Sequence, residues 1–352
     1  MVTARRPDTA FWSGRTVLLT GHTGFKGAWL ARMLRQLGSR VVGLSLPPST
    51  EPALFTMLLP DKQVDHHLGD IRDAERVRAV IRSARPSVVF HLAAQALVPA
   101  GYDDPAGTFA TNVDGSIHIM EAMRGCSNIE AAVLVTTDKV YHNDNTGLRF
   151  READRLGGKD PYSASKAAAE VAVACWRESF GAQMPPMATA RAGNVIGGGD
   201  FAPTRLVPDI VRALVQGESL VLRYPDATRP WQHVLDVLVG YLLLAEQTAA
   251  TRGSIPAMNF APDAPADIRV RDVIAAFEQA FQSRLPWTQA VDPPPEAATL
   301  ALDPRLAMET LRWRPRLDHQ QMIESTAAWY AAWRRGDDMA RRCEADVADA
   351  LA

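Results

Sequence analysis

Short apolar runs rich in β-branched residues alternate with amphipathic helical stretches through the first half of this 352-residue chain. The runs that we predict as strands cover residues 15–20, 40–45, 87–92 and 131–136. Between them, residues 28–37 and 73–84 repeat apolar side chains at the spacing of one helix face. Strands that alternate with helices form βαβ units, in which the strands are parallel. The sequence therefore predicts an α/β fold with a doubly wound parallel sheet.

The pattern becomes less regular after about residue 190, where glycines at 197–199 and the proline-rich stretch 292–295 interrupt it. Such composition is typical of loops, so we predict a smaller C-terminal lobe that binds substrate. The predicted division is a dinucleotide-binding domain of residues 1–190, with 233–258 returning to it, and a substrate-binding lobe of residues 191–232 and 259–352. The charged, alanine-rich residues from about Arg334 onward predict a surface helix or a frayed tail.

Charge and cysteine content argue against several kinds of function. The 38 basic and 40 acidic side chains are spread along the chain, so neither nucleic acid nor a membrane is expected as a partner. Cys126, Cys175 and Cys343 are far apart and odd in number, which argues against disulfides and against a metal site, and favours a cytoplasmic location.

The first twelve residues lack the apolar region of a signal peptide. The longest apolar run, 237–245, is about half a membrane span, and we predict a buried helix there.

The first predicted strand leads directly into a glycine-spaced turn and then a helical stretch. The turn reads Thr20-Gly21-His22-Thr23-Gly24-Phe25-Lys26-Gly27. Its three glycines permit a tight turn, close approach of a pyrophosphate, and contact between helix and strand. The helix N-terminus that follows offers unpaired N–H donors to that anion. Three spaced glycines also occur in ordinary turns, but this position between strand and helix favours a Rossmann-like dinucleotide site.

Two further strand ends could line the same cofactor. Asp70-Ile71 could accept a hydrogen bond from an adenine amine, and the small residues after His91 could pack against the dinucleotide; each could equally be an ordinary strand end. The second strand ends at Ser45 without an Asp or Glu that could bind the ribose 2′-hydroxyl, and Lys26 could contact a 2′-phosphate. We predict NAD as the cofactor, with NADP as the alternative. The predicted cofactor-binding residues are Gly21, Thr23, Gly24, Phe25, Lys26, Gly27, Asp70, Ile71, Leu92, Ala93, Ala94, Tyr162 and Lys166.

Tyr162 and Lys166 lie four residues apart and would share one face of a helix. A phenol, whose ordinary pKa is about 10, needs a lowered pKa to act as a base near neutral pH. A neighbouring ammonium and the positive nicotinamide would lower it. This spacing also arises by chance on exposed helices, so the prediction that both residues are catalytic depends on the glycine turn and on the next motif.

A hydroxyl, a carboxylate and an amine follow one another after the fourth predicted strand, in Thr137-Asp138-Lys139. Open α/β sheets bind ligands at the carboxyl ends of their strands. Thr137 could bond the substrate hydroxyl that Tyr162 deprotonates. Asp138 and Lys139 could act as acid and base, a pairing that plain oxidation does not need. A surface ion pair at a strand end is the alternative.

Together these motifs resemble those of the extended short-chain dehydrogenases/reductases, and within that group the sugar-nucleotide 4,6-dehydratases of the CDP-glucose type. The resemblance covers nearly the whole chain. It extends to residues 160–166, 190–200, 229–234, 311–315 and 329–330. It implies an NAD-dependent lyase that removes water from a nucleotide-sugar substrate, CDP-glucose, and that forms a homodimer or a larger homo-oligomer.

The same resemblance implies a role for individual residues. Thr137, Tyr162 and Lys166 would serve hydride transfer, with Asp138 as the acid and Lys139 as the base. The residues implied for substrate binding are Gln95, Asn194, Arg205 and Arg229. The guanidinium of Arg229 would face the pyrophosphate, for which its forked shape is suited, whereas a surface salt bridge is the alternative for Arg205.

Two departures from the family pattern stand in the sequence. Residues 96–102 lack the arginines and the serine expected before Tyr102, and His142 stands where a Glu is usual. A 4-epimerase or reductase of the same fold is the alternative function, and a non-catalytic NAD(H)-binding protein is a second. Neither needs an acid and a base beside Thr137, so the sequence favours dehydration.

Overall fold

The computed structural model describes residues 4–58, 64–263, 268–291 and 300–352, so the proline-rich stretch 292–295 lies outside the described residues. The strands are β1 (Thr16–Thr20), β2 (Arg40–Ser45), β3 (Asp65–Leu68), β4 (Val88–His91), β5 (Ala131–Val135), β6 (Arg149–Phe150), β7 (Met187–Ala192), β8 (Val195–Ile196), β9 (Leu220–Leu222), β10 (Gln232–His233), β11 (Ala257–Phe260), β12 (Trp287–Gln289) and β13 (Ala301–Leu302). Within these ranges, seven strands form one parallel sheet in the order β3-β2-β1-β4-β5-β7-β11.

This strand order confirms the predicted Rossmann-like, doubly wound fold. The chain winds outward from β1 to β3 and then returns to β4 on the other side of β1. Neighbouring connections therefore leave in opposite directions at the β1–β4 boundary, where such sheets bind ligands beyond the carboxyl ends of their strands. The predicted strand at residues 40–45 coincides with β2, and the other three predicted strands differ from β1, β4 and β5 by at most one residue at an end.

Helices pack on both faces of the sheet. They are α1 (Thr9–Trp12), α2 (Phe25–Gln36), α3 (Leu54–Leu58), α4 (Ala74–Ala84), α5 (Val98–Asp103), α6 (Pro105–Phe109), α7 (Gly115–Met123), α8 (Pro161–Phe180), α9 (Leu206–Gln216), α10 (Val234–Thr251), α11 (Val270–Phe281), α12 (Arg305–Thr310), α13 (His319–Arg335) and α14 (Met339–Leu351). Because side chains alternate along β1, Val17 and Leu19 join one core with α2 and α10, whereas Leu18 joins another with α4 and α7.

Helix α10 contains the apolar run of residues 237–245 and confirms it as a buried helix. In the described part of the chain it is the one helix long and apolar enough to cross a membrane by length and composition, and 78% of it is buried inside the protein. It packs against β5 and β7 and against α2.

In the described ranges, three two-stranded parallel sheets, β8–β10, β9–β12 and β6–β13, lie outside the main sheet. The first two consist wholly of strands from beyond residue 190, and the helices α11 and α13 from the same part of the chain pack against each other. We keep the division into a dinucleotide-binding domain and a substrate-binding lobe as a proposal.

The C-terminal residues form an ordered helix rather than a frayed tail. Helix α13 continues through Arg335, and α14 then buries one face that includes Cys343 and Val347. The indole N–H of Trp329 lies 3.2 Å from the sulfur of Cys343, which joins the two helices. Helix α14 packs against α2, the helix that follows the glycine turn.

Candidate active site

The glycine turn between β1 and α2 leaves no room for side chains at two of its positions. Gly21 has φ +75°, and a Cβ atom there would lie 2.7 Å from the backbone nitrogen of Ala93. A Cβ atom on Gly27 would lie 2.1 Å from the carbonyl oxygen of Gly21. Because both neighbours are backbone atoms, only glycine fits, and the turn packs closely against the end of β4.

The first turn of α2 keeps its N–H groups available for an anion. Gly24 is the N-cap residue and has no side chain with which to cap them. The Thr23 hydroxyl lies 2.7 Å from the Ser45 hydroxyl and donates to the Leu46 carbonyl at 2.9 Å, which ties the loop to the end of β2. These residues therefore fit the diphosphate of a dinucleotide.

The expected adenine contact lies just beyond β3. Asp70 and Ile71 follow the last residue of β3, Leu68, in a turn, and so do not close the strand as the sequence suggested. The side chain of Asp70 accepts hydrogen bonds from the Arg72 guanidinium at 2.6 and 2.9 Å, and these bonds lower the pKa of Asp70. Ile71 is buried in the core.

The end of β4 is fixed to β1 through one hydroxyl. The backbone N–H groups of Leu92 and Ala93 donate to Thr20 Oγ1 at 3.2 and 3.1 Å. Ala94 follows in the same loop, which faces Gly21 across the close contact described above. The small residues predicted to line the cofactor therefore lie beside the glycine turn.

Tyr162 and Lys166 lie one turn apart on α8, which Pro161 begins and Asp160 caps by accepting a hydrogen bond from the Ser163 N–H. Both side chains are buried, with 8% of Tyr162 and 6% of Lys166 exposed. Lys166 Nζ donates to the Val135 carbonyl at 3.0 Å. Since Val135 ends β5, the lysine is anchored at the carboxyl edge of the sheet.

Thr137 connects the phenol to the carboxylate. Its hydroxyl donates to Asp138 Oδ1 at 2.9 Å, and its side chain lies close enough to the Tyr162 phenol to affect the pKa of that group. Asp138 begins a short 3-10 helix, Asp138–Val140, and is buried, whereas Lys139 is partly buried. Tyr162 and Asp138 thus meet through Thr137 and do not open onto separate surfaces.

Burial determines the pKa directions in this centre. It raises the pKa of Tyr162 to about 12, an effect that the nearby Thr137 side chain opposes and the Asp138 charge reinforces. This differs from the expectation that cations lower it, because removing a phenolate from water outweighs the nearby charges of the chain itself. Burial lowers the pKa of Lys166 to about 8, against the opposing charge of Glu170.

Lys26 is directed towards the catalytic residues. Burial lowers its pKa to about 8, and the other charges that act on it are Arg205, Asp138, Lys166 and Asp200. Its ammonium lies 5.9 Å from the centre of the Tyr241 ring, on α10. These neighbours indicate that the ammonium lies near the catalytic residues.

The residues expected to bind substrate differ in their surroundings. Arg205 forms an ion pair with Asp200 at 2.8 Å, and its charge acts on Tyr162. Gln95 uses its side chain within its own loop, donating to Thr108 at 2.9 Å and accepting from the Leu97 N–H at 2.6 Å.

The other two expected substrate residues lie near β10. Asn194 lies in the short connection between β7 and β8, and its carbonyl accepts from the N–H of Gln232, the first residue of β10, at 3.1 Å. Arg229 donates to the Thr228 carbonyl at 3.0 Å. Substrate contacts for all four residues stay predictions.

Sequence reasoning missed a buried ion pair behind the catalytic residues, formed by Glu170 and Arg191 at 2.7 Å. The sequence did indicate one member of this pair, because Glu170 lies four residues after Lys166 and so on the same helix face. It also missed Tyr241, a fully buried tyrosine whose hydroxyl has no hydrogen-bond partner among the described residues. Across the described residues, no group of three or more His, Cys, Asp or Glu side chains is placed to hold a metal ion.

Known proteins are similar in sequence to this chain over most of its length. The sequence model of the family described as GDP-mannose 4,6 dehydratase matches residues 18–326. The chain is 38% identical to a CDP-glucose 4,6-dehydratase of Salmonella typhimurium over 354 aligned residues, which cover 97% of this chain and 98% of that protein.

Solved structures share the fold. The UDP-glucose 4-epimerase of Thermus thermophilus, in complex with NAD, is 26% identical, with a TM-score of 0.77 and coverage of 90% of this chain and 98% of that one. The dTDP-glucose 4,6-dehydratase of Bacillus anthracis, in complex with NAD, is 19% identical, with a TM-score of 0.75 and coverage of 94% and 100%. The resemblance to the extended short-chain dehydrogenases/reductases is confirmed, and the chain belongs to the GDP-mannose 4,6 dehydratase family.

Proposed function

We propose that this chain is an NAD-dependent lyase that converts CDP-glucose to CDP-4-keto-6-deoxyglucose. The observation that carries the proposal is the grouping of Tyr162, Thr137 and Asp138, in which Thr137 lies beside the phenol and donates to Asp138 Oδ1 at 2.9 Å, with Lys139 next in the chain. The first two residues serve oxidation, and the last two offer the acid and base that loss of water needs. The relative from Salmonella typhimurium supports CDP-glucose as the substrate.

The glycine turn, the first turn of α2 and the loop after β4 would hold the NAD. When bound, NAD would supply the hydride acceptor for oxidation at C4 of the sugar and the hydride donor for reduction at C6. Lys166, anchored at the end of β5, would position the reacting groups beside Tyr162. NAD rather than NADP is favoured by the solved relatives, two of which are complexes with NAD.

Tyr162 would remove the proton from the C4 hydroxyl during oxidation. The pKa of about 12 in the chain itself must fall for this step. Thr137 and Arg205 already act in that direction, the first through its side chain and the second through its charge. The Thr137 hydroxyl would also orient the sugar hydroxyl beside the phenol.

Lys139 and Asp138 would carry out the elimination. The C4 ketone acidifies the C5 hydrogen, which a neutral Lys139 amine removes, while Asp138 protonates the C6 oxygen that leaves as water. The proton taken from C5 remains on Lys139 and can return to C5 when C6 is reduced. The product has lost one water, and no net oxidation has taken place.

We further propose a homodimer in a reducing, cytoplasmic setting. The side chains of Phe109, on α6, and Val171, on α8, are exposed by 39% and 59%. Two helices bearing such apolar side chains are suited to a helical interface, and one of them carries Tyr162. Arg205, Arg229 and Asn194 would contact the nucleotide part of the substrate.

Incubation with CDP-, dTDP-, UDP- and GDP-hexoses, followed by mass spectrometry, tests the function. We expect a loss of about 18 daltons, the mass of one water, with CDP-glucose. A stereoisomer of unchanged mass would instead indicate a 4-epimerase, and no turnover of any sugar nucleotide would indicate a non-catalytic protein.

The Lys139→Ala variant tests the proposed base. We expect it to bind NAD as the wild type does but to lose turnover, because the C5 proton then has no acceptor. The matched control is Lys159→Ala, which removes an exposed lysine and should retain turnover. Wild-type rates in the Lys139 variant would exclude this residue from the mechanism.

A further inference from the structure

The buried pair of Glu170 and Arg191 lies directly behind the catalytic residues and is fully hydrogen-bonded. Their side chains are 4% and 5% exposed. Arg191 donates to both carboxylate oxygens of Glu170, at 2.9 and 2.7 Å. The carboxylate also accepts from the hydroxyls of Thr136 at 2.5 Å and Thr189 at 2.7 Å. Removing either charge alone would leave the other buried without a partner.

The residues that carry the proposed chemistry lie between two attachments to this pair. We call residues 136–141 the catalytic segment. At its start, Thr136 donates to Glu170. At its end, the Tyr141 hydroxyl accepts from Arg191 Nη1 at 2.7 Å and donates to Asn259 Oδ1, on β11, at 2.8 Å. Both ends of the segment are therefore bonded to one ion pair.

Stability alone gives no reason for this arrangement. Buried ion pairs are often replaced by well-packed apolar side chains without loss of stability, because desolvation offsets their attraction. A fully satisfied polar network does, however, fix its members in one geometry, since each bond has direction and no water can substitute for it. The three residues from Thr137 to Lys139 are the part of the chain for which such precision matters most.

We propose that the Glu170–Arg191 pair positions Thr137, Asp138 and Lys139 for catalysis, acting through its bonds to Thr136 and Tyr141. The inference rests on the proposed function and deepens it. Thr136 is then a positioning residue, which touches neither substrate nor cofactor but sets the place of the groups that do. Displacements of about 1 Å at such groups can lower a rate by about a hundredfold.

Two isosteric substitutions separate positioning from structural support. Thr136→Val and Thr189→Val each remove one hydroxyl donor from the same buried carboxylate, at sites that are 7% and 1% exposed. Thr136 belongs to the catalytic segment, whereas Thr189 lies on β7. We expect the Thr136 variant to lose about tenfold or more in kcat with KM and NAD affinity unchanged, and the Thr189 variant to stay within about twofold of wild type.

Two further variants complete the experiment. Thr136→Ser keeps the donor and should restore kcat, and Tyr141→Phe should lower kcat while keeping the ring stacked on Phe150, at 5.0 Å between ring centres. Equal kcat losses in the two valine variants, or no loss in either, would overturn the positioning role. A wild-type protein that removes no water from any sugar nucleotide would instead refute the proposed function.

Discussion

Lys166→Met is expected to stabilise the cofactor-free protein although it removes a proposed catalytic residue. Lys166 is 6% exposed, and burial holds the pKa of its ammonium at about 8 rather than the ordinary 10.5. A difference of this size corresponds to about 3 kcal/mol of cost for keeping the charge in the folded state. Methionine has similar length and no charge, so it removes that cost, while the lost hydrogen bond to Val135 subtracts about 1 kcal/mol at every pH.

The protonation of Lys166 in the folded and unfolded states determines whether wild-type stability rises or falls with pH. Below pH 8 Lys166 is charged in both the folded and the unfolded state, so the wild type bears the whole cost. Between about pH 8 and 10.5 the unfolded state binds more protons than the folded state, so wild-type stability rises with pH. The advantage of the variant should therefore shrink by about 3 kcal/mol from pH 7 to 10.5.

Urea unfolding at several pH values measures this difference. The other charged groups that face Lys166, which include Glu170, His91 and Lys26, are present in both proteins, so the parts of their pKa shifts that do not come from Lys166 cancel. Lys159→Met, at an exposed lysine, is the matched control and should show a difference that stays level. A level difference for Lys166→Met between pH 7 and 10.5 would refute the view that burial of its charge opposes folding.

Two further substitutions test the packing around the cofactor turn and the N-terminal segment. Gly27→Ala should lower the free energy of unfolding by about 2 kcal/mol or more and abolish NAD binding, because its Cβ would lie 2.1 Å from the Gly21 carbonyl oxygen. Gly24→Ala, whose Cβ would lie 3.4 Å from the same oxygen, should leave cofactor-free stability nearly unchanged in urea unfolding. Glu246→Ala should cost about 3 kcal/mol in thermal or urea unfolding, because it leaves the Trp12 indole and Asp8 backbone donors, both at 2.8 Å, without their acceptor. Unchanged stability in Gly27→Ala or Glu246→Ala would contradict the packing described here.

Local patterns were sufficient to predict the ranges of four strands of the seven-stranded sheet, and the glycine turn. Strand β2 coincides with its prediction because its buried run is bounded by a polar residue and a turn, which are local features. The turn was identified because its glycine spacing is contiguous in sequence. The face shared by Tyr162 and Lys166 followed from helical periodicity alone.

Predictions that depended on distant neighbours succeeded less often. Lys26 could not be assigned to the catalytic centre from its position in the turn, because its direction depends on packing against Tyr241, more than two hundred residues away. The pKa of Tyr162 was expected to fall, but the depth of its burial is a property of the whole fold. The residues after Arg334 were predicted to form either a surface helix or a frayed tail. They form helix α14, which packs on α2.

The sequence by itself determined the parallel sheet, the cofactor turn and the kinds of side chain at the reaction centre, because these depend on periodicity and on residue type over a few positions. Only the tertiary structure decided that Thr137 joins the phenol to the carboxylate, and that one ion pair between α8 and β7 holds both ends of the catalytic segment. The physical reason is that hydrogen bonds and desolvation act between groups that folding brings together, whatever their separation along the chain.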